Sequence, residues 1–154
     1  KATELGVRVL QPVFTRRTIV TRINSERMRA NAIEAAEQSG RVSVPDTREA
    51  VTFDKLLARW PAERHILFCD EAGDAAPVAD ALQDAPAGPW AIFTGPEGGF
   101  DPAERALLRA LPHVTPVSLG ARILRADTAA LAAHGSHAFT ASTRSNSRLT
   151  RKTR

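Results

Sequence analysis

The chain has 154 residues, 43% of them hydrophobic and 25% charged, with a single cysteine. That length and balance suit one globular core, and one thiol excludes both an intramolecular disulfide framework and a cysteine-based zinc cluster. The net charge of +4 is unevenly spread: residues 1–50 hold nine basic and six acidic residues (+3), 51–133 hold seven and eleven (−4), and 134–154 hold five basic residues and no acid. A polyanion partner is therefore expected to meet the first third or the tail. No apolar run nears the roughly 20 residues of a membrane span, and no His, Cys, Asp or Glu grouping has metal-ligand spacing.

The opening Lys1-Ala2-Thr3-Glu4-Leu5-Gly6 reads as a last helical turn closed by glycine, without a targeting pattern, and suggests that an N-terminal portion precedes it. Val7 to Val13 has strand composition, with Pro12 marking an edge or strand end. An Arg- and Thr-rich loop follows. Asn24-Ser25-Glu26 then starts a helix whose small and apolar positions recur at helical spacing until Gly40. Residues 41–51 read as an extended loop, Asp54 to Trp60 as a short helix, and His65 to Cys69 as a buried strand. A short helix is expected from Pro77 to Leu82, and a strand from Trp90 to Thr94. Asp101-Pro102-Ala103-Glu104 joins a capping Asp, a first-turn Pro and an acid three residues after the cap, which predicts a helix to about Leu111. Val114 to Leu119 is a third apolar strand, and Asp127 or Thr128 is expected to cap a final Ala-rich helix. From His134 onward Ser, Thr and Arg replace the apolar periodicity, which predicts a solvated basic tail over residues 134–154.

Strands alternating with helices predict an α/β fold, a mostly parallel sheet with helices on both faces. Ligands in such folds sit beyond the carboxyl ends of the strands. Three strand ends carry unusual sequence: Asp70-Glu71, Gly95-Pro96-Glu97-Gly98-Gly99, and Gly120 to Arg125. The glycine loop lets backbone approach a ligand closely, or serves as a tight turn; it matches neither the dinucleotide fingerprint nor the phosphate loop. Arg122 and Arg125 are spaced to face one anion or to form structural salt bridges. Glu37 and Gln38, near the helix end, offer a base and a reader of nucleobase edges, or a charged helix surface. The four histidines carry no site signal, and Cys69 reads as a small core residue.

Lys1 to Val7, the helix end Glu34 to Arg41 with Pro45, the loop Gly95 to Phe100, and Ser118 to Arg125 followed by Asp127-Thr128-Ala129, taken together, resemble the bacterial small-subunit ribosomal RNA uridine N3-methyltransferases of the SPOUT superfamily. The resemblance spans residues 1–133 in order. It implies a deep trefoil knot, a homodimer, the cofactor S-adenosylmethionine, a cytoplasmic role in ribosomal RNA processing and ribosome biogenesis, and a ribosomal RNA or small-subunit partner. It also implies a small N-terminal RNA-binding domain, absent from this chain. Onto the matching positions it places the cofactor against Thr94, Gly95, Glu97, Gly98, Gly99, Leu119, Gly120, Ile123 and Leu124. The chain departs from the family in having Ala121 for Pro, Asp127 for Glu, and a polar tail where the last helix normally continues past Ala133.

The implied reaction is methyl transfer to N3 of a uracil, a nitrogen protonated at neutral pH, so a proton must be removed or the resulting anion stabilised. Arg125 or Arg122 is expected to face the anionic base or an RNA phosphate, and Glu37 to accept the proton; Arg8, Arg16, Arg17, Arg22, Gln38 and Arg41 are expected to contact RNA. The rivals are a noncatalytic knotted domain that binds RNA or another partner, altered at its C-terminus, and a generic nucleotide-binding enzyme.

Overall fold

A computed structural model describes residues 1–71 and 74–137. The chain divides into two compact units that it enters alternately: residues 1–61 with 95–104, and residues 62–94 with 105 onward.

The first unit is built on helix α1, Ser25–Gln38. The side chain of Asn24 accepts from the Arg27 N–H at 2.9 Å, and so satisfies one of the donors that a helix start leaves open. At the other end Gly40 adopts φ +66, the Gly40 N–H bonds the Glu37 carbonyl and the Arg41 N–H bonds the Ala36 carbonyl. These are the paired bonds of a glycine-terminated helix, as Gly40 predicts. Ala32 and Ala36 form its buried face.

Val7 to Val13 is not one strand. Two-residue strands β1 (Val9–Leu10) and β2 (Val13–Phe14) flank Gln11-Pro12, because the proline has no N–H for a ladder. Their partners arise from the segment expected to be a loop. Strand β3 (Asp46–Thr47) pairs parallel with β1, and β4 (Val51–Thr52) pairs parallel with β2. Gln11 spans the gap by donating to the Glu49 carbonyl at 2.7 Å. Helix α2 (Phe53–Ala58) follows directly and buries Phe53.

The second unit holds a three-stranded parallel sheet: β5 (His65–Cys69) lies between β6 (Trp90–Phe93) and β7 (Val114–Val117). Ile66, Leu67, Phe68 and Cys69 are all buried, so both faces of the central strand are covered, which is what a continuous apolar run predicts. Leu67, Cys69, Leu82, Val117 and Ala133 form one cluster, with Val78, Trp90, Ile92 and Leu119 packed around it. Helix α3 (Val78–Ala81) sits in the connection after β5; just before it, Ser118 donates its N–H to the Ala76 carbonyl and accepts from the Val78 N–H. Parallel pairing throughout agrees with the expected α/β class, though the strands form three separate ladders.

Helix α4 (Pro102–Ala110) begins where its capping sequence places it. Residues 126–137 form α5, the last helix among the described residues. The Arg125 carbonyl accepts the first helical bond, from the Ala129 N–H at 2.8 Å, so Arg125 is the cap and Asp127 lies inside the first turn. The helix continues through His137, four residues into the stretch expected to be tail, because Ala133 is fully buried and His137 rests against Trp90. The rest of the expected tail, 138–154, lies outside the described residues.

Candidate functional site

The glycine loop belongs to the first unit. Gly95 is a glycine because a Cβ there would meet the Phe100 ring at 2.9 Å. Gly99 closes a turn, with φ +68 and its N–H on the Pro96 carbonyl at 2.9 Å. Gly98 and Glu97 are exposed, and a Cβ on Gly98 would meet only Arg17, at an ordinary 3.5 Å. Packing explains Gly95 and backbone conformation explains Gly99; neither explains Gly98.

The loop runs into a reciprocal cap. Asp101 Oδ1 accepts from the Ala103 N–H at 3.0 Å, and Glu104 Oε2 accepts from the Asp101 N–H at 3.3 Å. The other oxygen, Glu104 Oε1, accepts from the Arg16 N–H at 3.0 Å. Arg16 Nη1 donates to Asp101 Oδ1 at 3.1 Å and Arg17 Nη1 to the Gly98 carbonyl at 3.1 Å. Two arginines expected to contact RNA thus hold the glycine loop. Arg41 also turns inward, donating to the Thr3 and Val7 carbonyls at 2.6 and 3.1 Å. Arg8 and Arg22 are exposed and make no hydrogen bond or ion pair through their side chains among the described residues. Glu37 is exposed in the last turn of α1, and Gln38 donates to Glu34 Oε1 at 3.3 Å.

In the second unit the chain leaves β7 through Ser118, Leu119 and Gly120. Gly120 has φ +112, a conformation that favours glycine, and a Cβ there would meet nothing within 4 Å. Leu119 is half-buried against the core, Leu124 is half-buried, and Ile123 is 86% exposed. Among the described residues the backbone N–H groups of Leu119, Ile123 and Leu124 have no partner. Arg122 and Arg125 are exposed and form no salt bridge with a described residue, so nothing there favours the structural use of the pair. Thr94, after β6, is half-buried.

The end of β5 carries a network that sequence reasoning missed. Asp70, 3% exposed, accepts from Arg105 Nε at 2.7 and 3.0 Å and from Arg109 Nε at 2.7 Å. The same guanidiniums reach Asp74: Arg109 at 2.7 and 3.1 Å, and Arg105 by a further bond. The hydrogen bond to Asp70 above all raises the Arg105 pKa further. Asp70 is thus a structural acid. The one legible signal was the spacing of Arg105 and Arg109, one helical turn apart. Burial pushes the Cys69 thiol up to about 12, as suits a core cysteine.

Residues 1–138 match the family profile of an RNA methyltransferase domain. The chain is 33% identical to ribosomal RNA small subunit methyltransferase E of Rickettsia conorii, over 86% of this chain and 54% of that protein. It is 36% identical to the protein of the same name from Synechocystis, over 82% and 43%. The chain spans about half the length of the curated relatives it matches. Among solved structures, the Neisseria gonorrhoeae ribosomal RNA small subunit methyltransferase E, bound to S-adenosyl methionine, superposes with a TM-score of 0.74 at 33% identity, over 86% of this chain and 56% of that one. A Legionella pneumophila protein in complex with the cofactor SAM gives 0.72 at 30% identity, over 87% and 56%. With nearly nine-tenths of its length matched by the profile, the chain belongs to the RNA methyltransferase domain family.

Proposed function

We propose that this chain is the S-adenosylmethionine-binding domain of a ribosomal RNA methyltransferase that modifies N3 of a uridine. The observation that carries the reading is the segment after β7: open backbone N–H groups at Leu119, Ile123 and Leu124 beside an exposed apolar Ile123. That donor set fits an adenine ring, which needs edge hydrogen bonds and apolar cover. When bound, the cofactor supplies a methyl group on a positively charged sulfur, an electrophile that needs no further activation.

The protein's own task is then to position the base and manage its proton. Within the second unit, Leu119, Gly120, Ile123 and Leu124, with Thr94, would hold the adenosine side; for Gly95, Glu97, Gly98 and Gly99, in the first unit, a part in cofactor binding rests on the family resemblance. Arg125 and Arg122, free of internal ion pairs with described residues, would stabilise the uracil anion or an adjacent phosphate. Glu37, an exposed carboxylate, is the proposed proton acceptor. Arg8 and Arg22, whose side chains make no bond with a described residue, are proposed to contact RNA first, and Arg16, Arg17, Gln38 and Arg41 to contact it from the positions in which their own bonds hold them. Supported by the family alone are the knot, the homodimer and a cytoplasmic setting on the small ribosomal subunit. A noncatalytic domain gains no support from relatives named as methyltransferases.

Calorimetric titration of the folded chain with S-adenosylhomocysteine, with NAD and ATP as controls, tests the reading. Selective micromolar binding is expected. Preference for NAD or ATP, or no binding at all, overturns it. In the same reading Arg125→Ala keeps the affinity for S-adenosylhomocysteine and lowers methyl transfer to RNA by about 10²-fold; lost affinity would move Arg125 into the cofactor's contacts.

A further inference from the structure

We propose that Arg17 and Glu104 are positioning residues that hold the Gly95–Gly99 loop in its ligand-accepting shape, an inference that rests on the reading that this loop contacts S-adenosylmethionine. Three glycines in five residues give the loop much backbone freedom to lose on ordering. Its order must therefore come largely from outside it.

Four restraints supply that order, all within the first unit. The Phe100 ring, 7% exposed, lies against Gly95. The Gly99 N–H closes a turn on Pro96. Arg17 Nη1 grips the Gly98 carbonyl at 3.1 Å, which fixes the orientation of the one peptide in the loop whose glycine neither packing nor φ explains. Glu104, 5% exposed, joins the end of the loop to the Thr15–Arg17 strand exit: one oxygen takes the Asp101 N–H and the other the Arg16 N–H. A buried carboxylate with a donor on each oxygen at a helix start is well compensated, so it serves as a fixed two-pronged clamp.

The two residues differ in how they can be separated from folding. Arg17 is exposed and its single bond contributes little to global stability, yet it restrains a loop that has few other ties. Arg17→Met keeps the aliphatic stem and removes the donor; Arg17→Lys restores one donor without the fork.

The test is calorimetric affinity for S-adenosylhomocysteine, together with amide hydrogen exchange of residues 97–99 in the ligand-free chain. Arg17→Met is expected to leave the melting temperature within a degree or two, to speed exchange of the bonded Gly99 amide by about tenfold without changing exchange in α1, and to weaken binding by about 5- to 10-fold. Arg17→Lys should recover about half of each effect on a logarithmic scale. Glu104→Gln, which puts an amide where two N–H groups need acceptors, should also release the protected Arg16 amide. Unchanged loop exchange in Arg17→Met, or faster exchange with binding within twofold of wild type, overturns the inference while leaving the cofactor reading intact. A wild-type chain that binds no S-adenosylhomocysteine removes both.

Discussion

Gly95 and Gly98 are three residues apart and look alike in sequence, yet they answer to different constraints. An alanine Cβ at position 95 would sit 2.9 Å from the Phe100 ring, closer than packing allows, so Gly95→Ala is expected to cost about 1–3 kcal/mol by overpacking. At position 98 the same Cβ meets Arg17 at 3.5 Å, and stability should stay within about 0.5 kcal/mol of wild type. If Gly98 is there to admit a ligand, Gly98→Ala weakens S-adenosylhomocysteine binding without loss of stability, and denaturant melts beside calorimetry separate the two. Equal affinity in a stable Gly98→Ala would remove that residue from the contacts. The loop was legible as a sharp turn because three glycines and a proline fall within five residues at a strand end. The bonds of Arg16, Arg17 and Arg41 within the chain were not, because the carbonyls and the buried Glu104 they reach are distant in sequence. Cys69 was legible from its apolar strand. Its thiol, held neutral by a pKa of about 12, should resist thiol reagents at pH 8 until the chain is unfolded; rapid labelling of the native chain would contradict its burial.

Among the elements, those whose signals are local emerged from the sequence, and those whose partners are distant did not. The cap of α4 is spelled out in four consecutive residues, and β5 is written as an unbroken apolar run. By contrast β3 and β4 are two residues each and exist only because β1 and β2 lie alongside, so no periodicity marks them. The network at the end of β5 is of the same distant kind, since Asp70 is 35 residues from Arg105 and 39 from Arg109. Its weight follows from burial. Asp70 is almost wholly enclosed while both guanidiniums remain more than a quarter exposed, so removing the acid strands two arginines that water can partly resolvate. Asp70→Asn is therefore expected to cost about 3 kcal/mol, the low end for breaking a buried ion pair. Asp74→Asn, at a carboxylate 60% exposed, should cost under about 1 kcal/mol. Urea melts of the two variants rank them, and equal losses would mean that the buried acid is not the anchor of α4 against β5.

At the scale of the whole chain, the path alternates between two units, and α5 returns to the sheet through Trp90. That ring lies 5.0 Å from His65 and 5.5 Å from His137, measured between centroids. Burial, and then the nearby His134, lower the His137 pKa below its ordinary 6.5, so the folded chain resists protonating it while the unfolded chain does not. Between the folded and unfolded pKa values the unfolded state binds more protons, and stability rises with pH in that window. The contribution is complete above about pH 6.5 and is lost as the pH falls through the depressed folded value. The melting temperature should therefore decline from pH 7.5 to 5.5. His137→Phe keeps an aromatic ring against Trp90 and removes the titrating nitrogen, so its melting temperature should vary less across the same interval. A variant profile that runs parallel to wild type would assign the decline to another group and leave the contact of α5 with Trp90 a matter of packing alone.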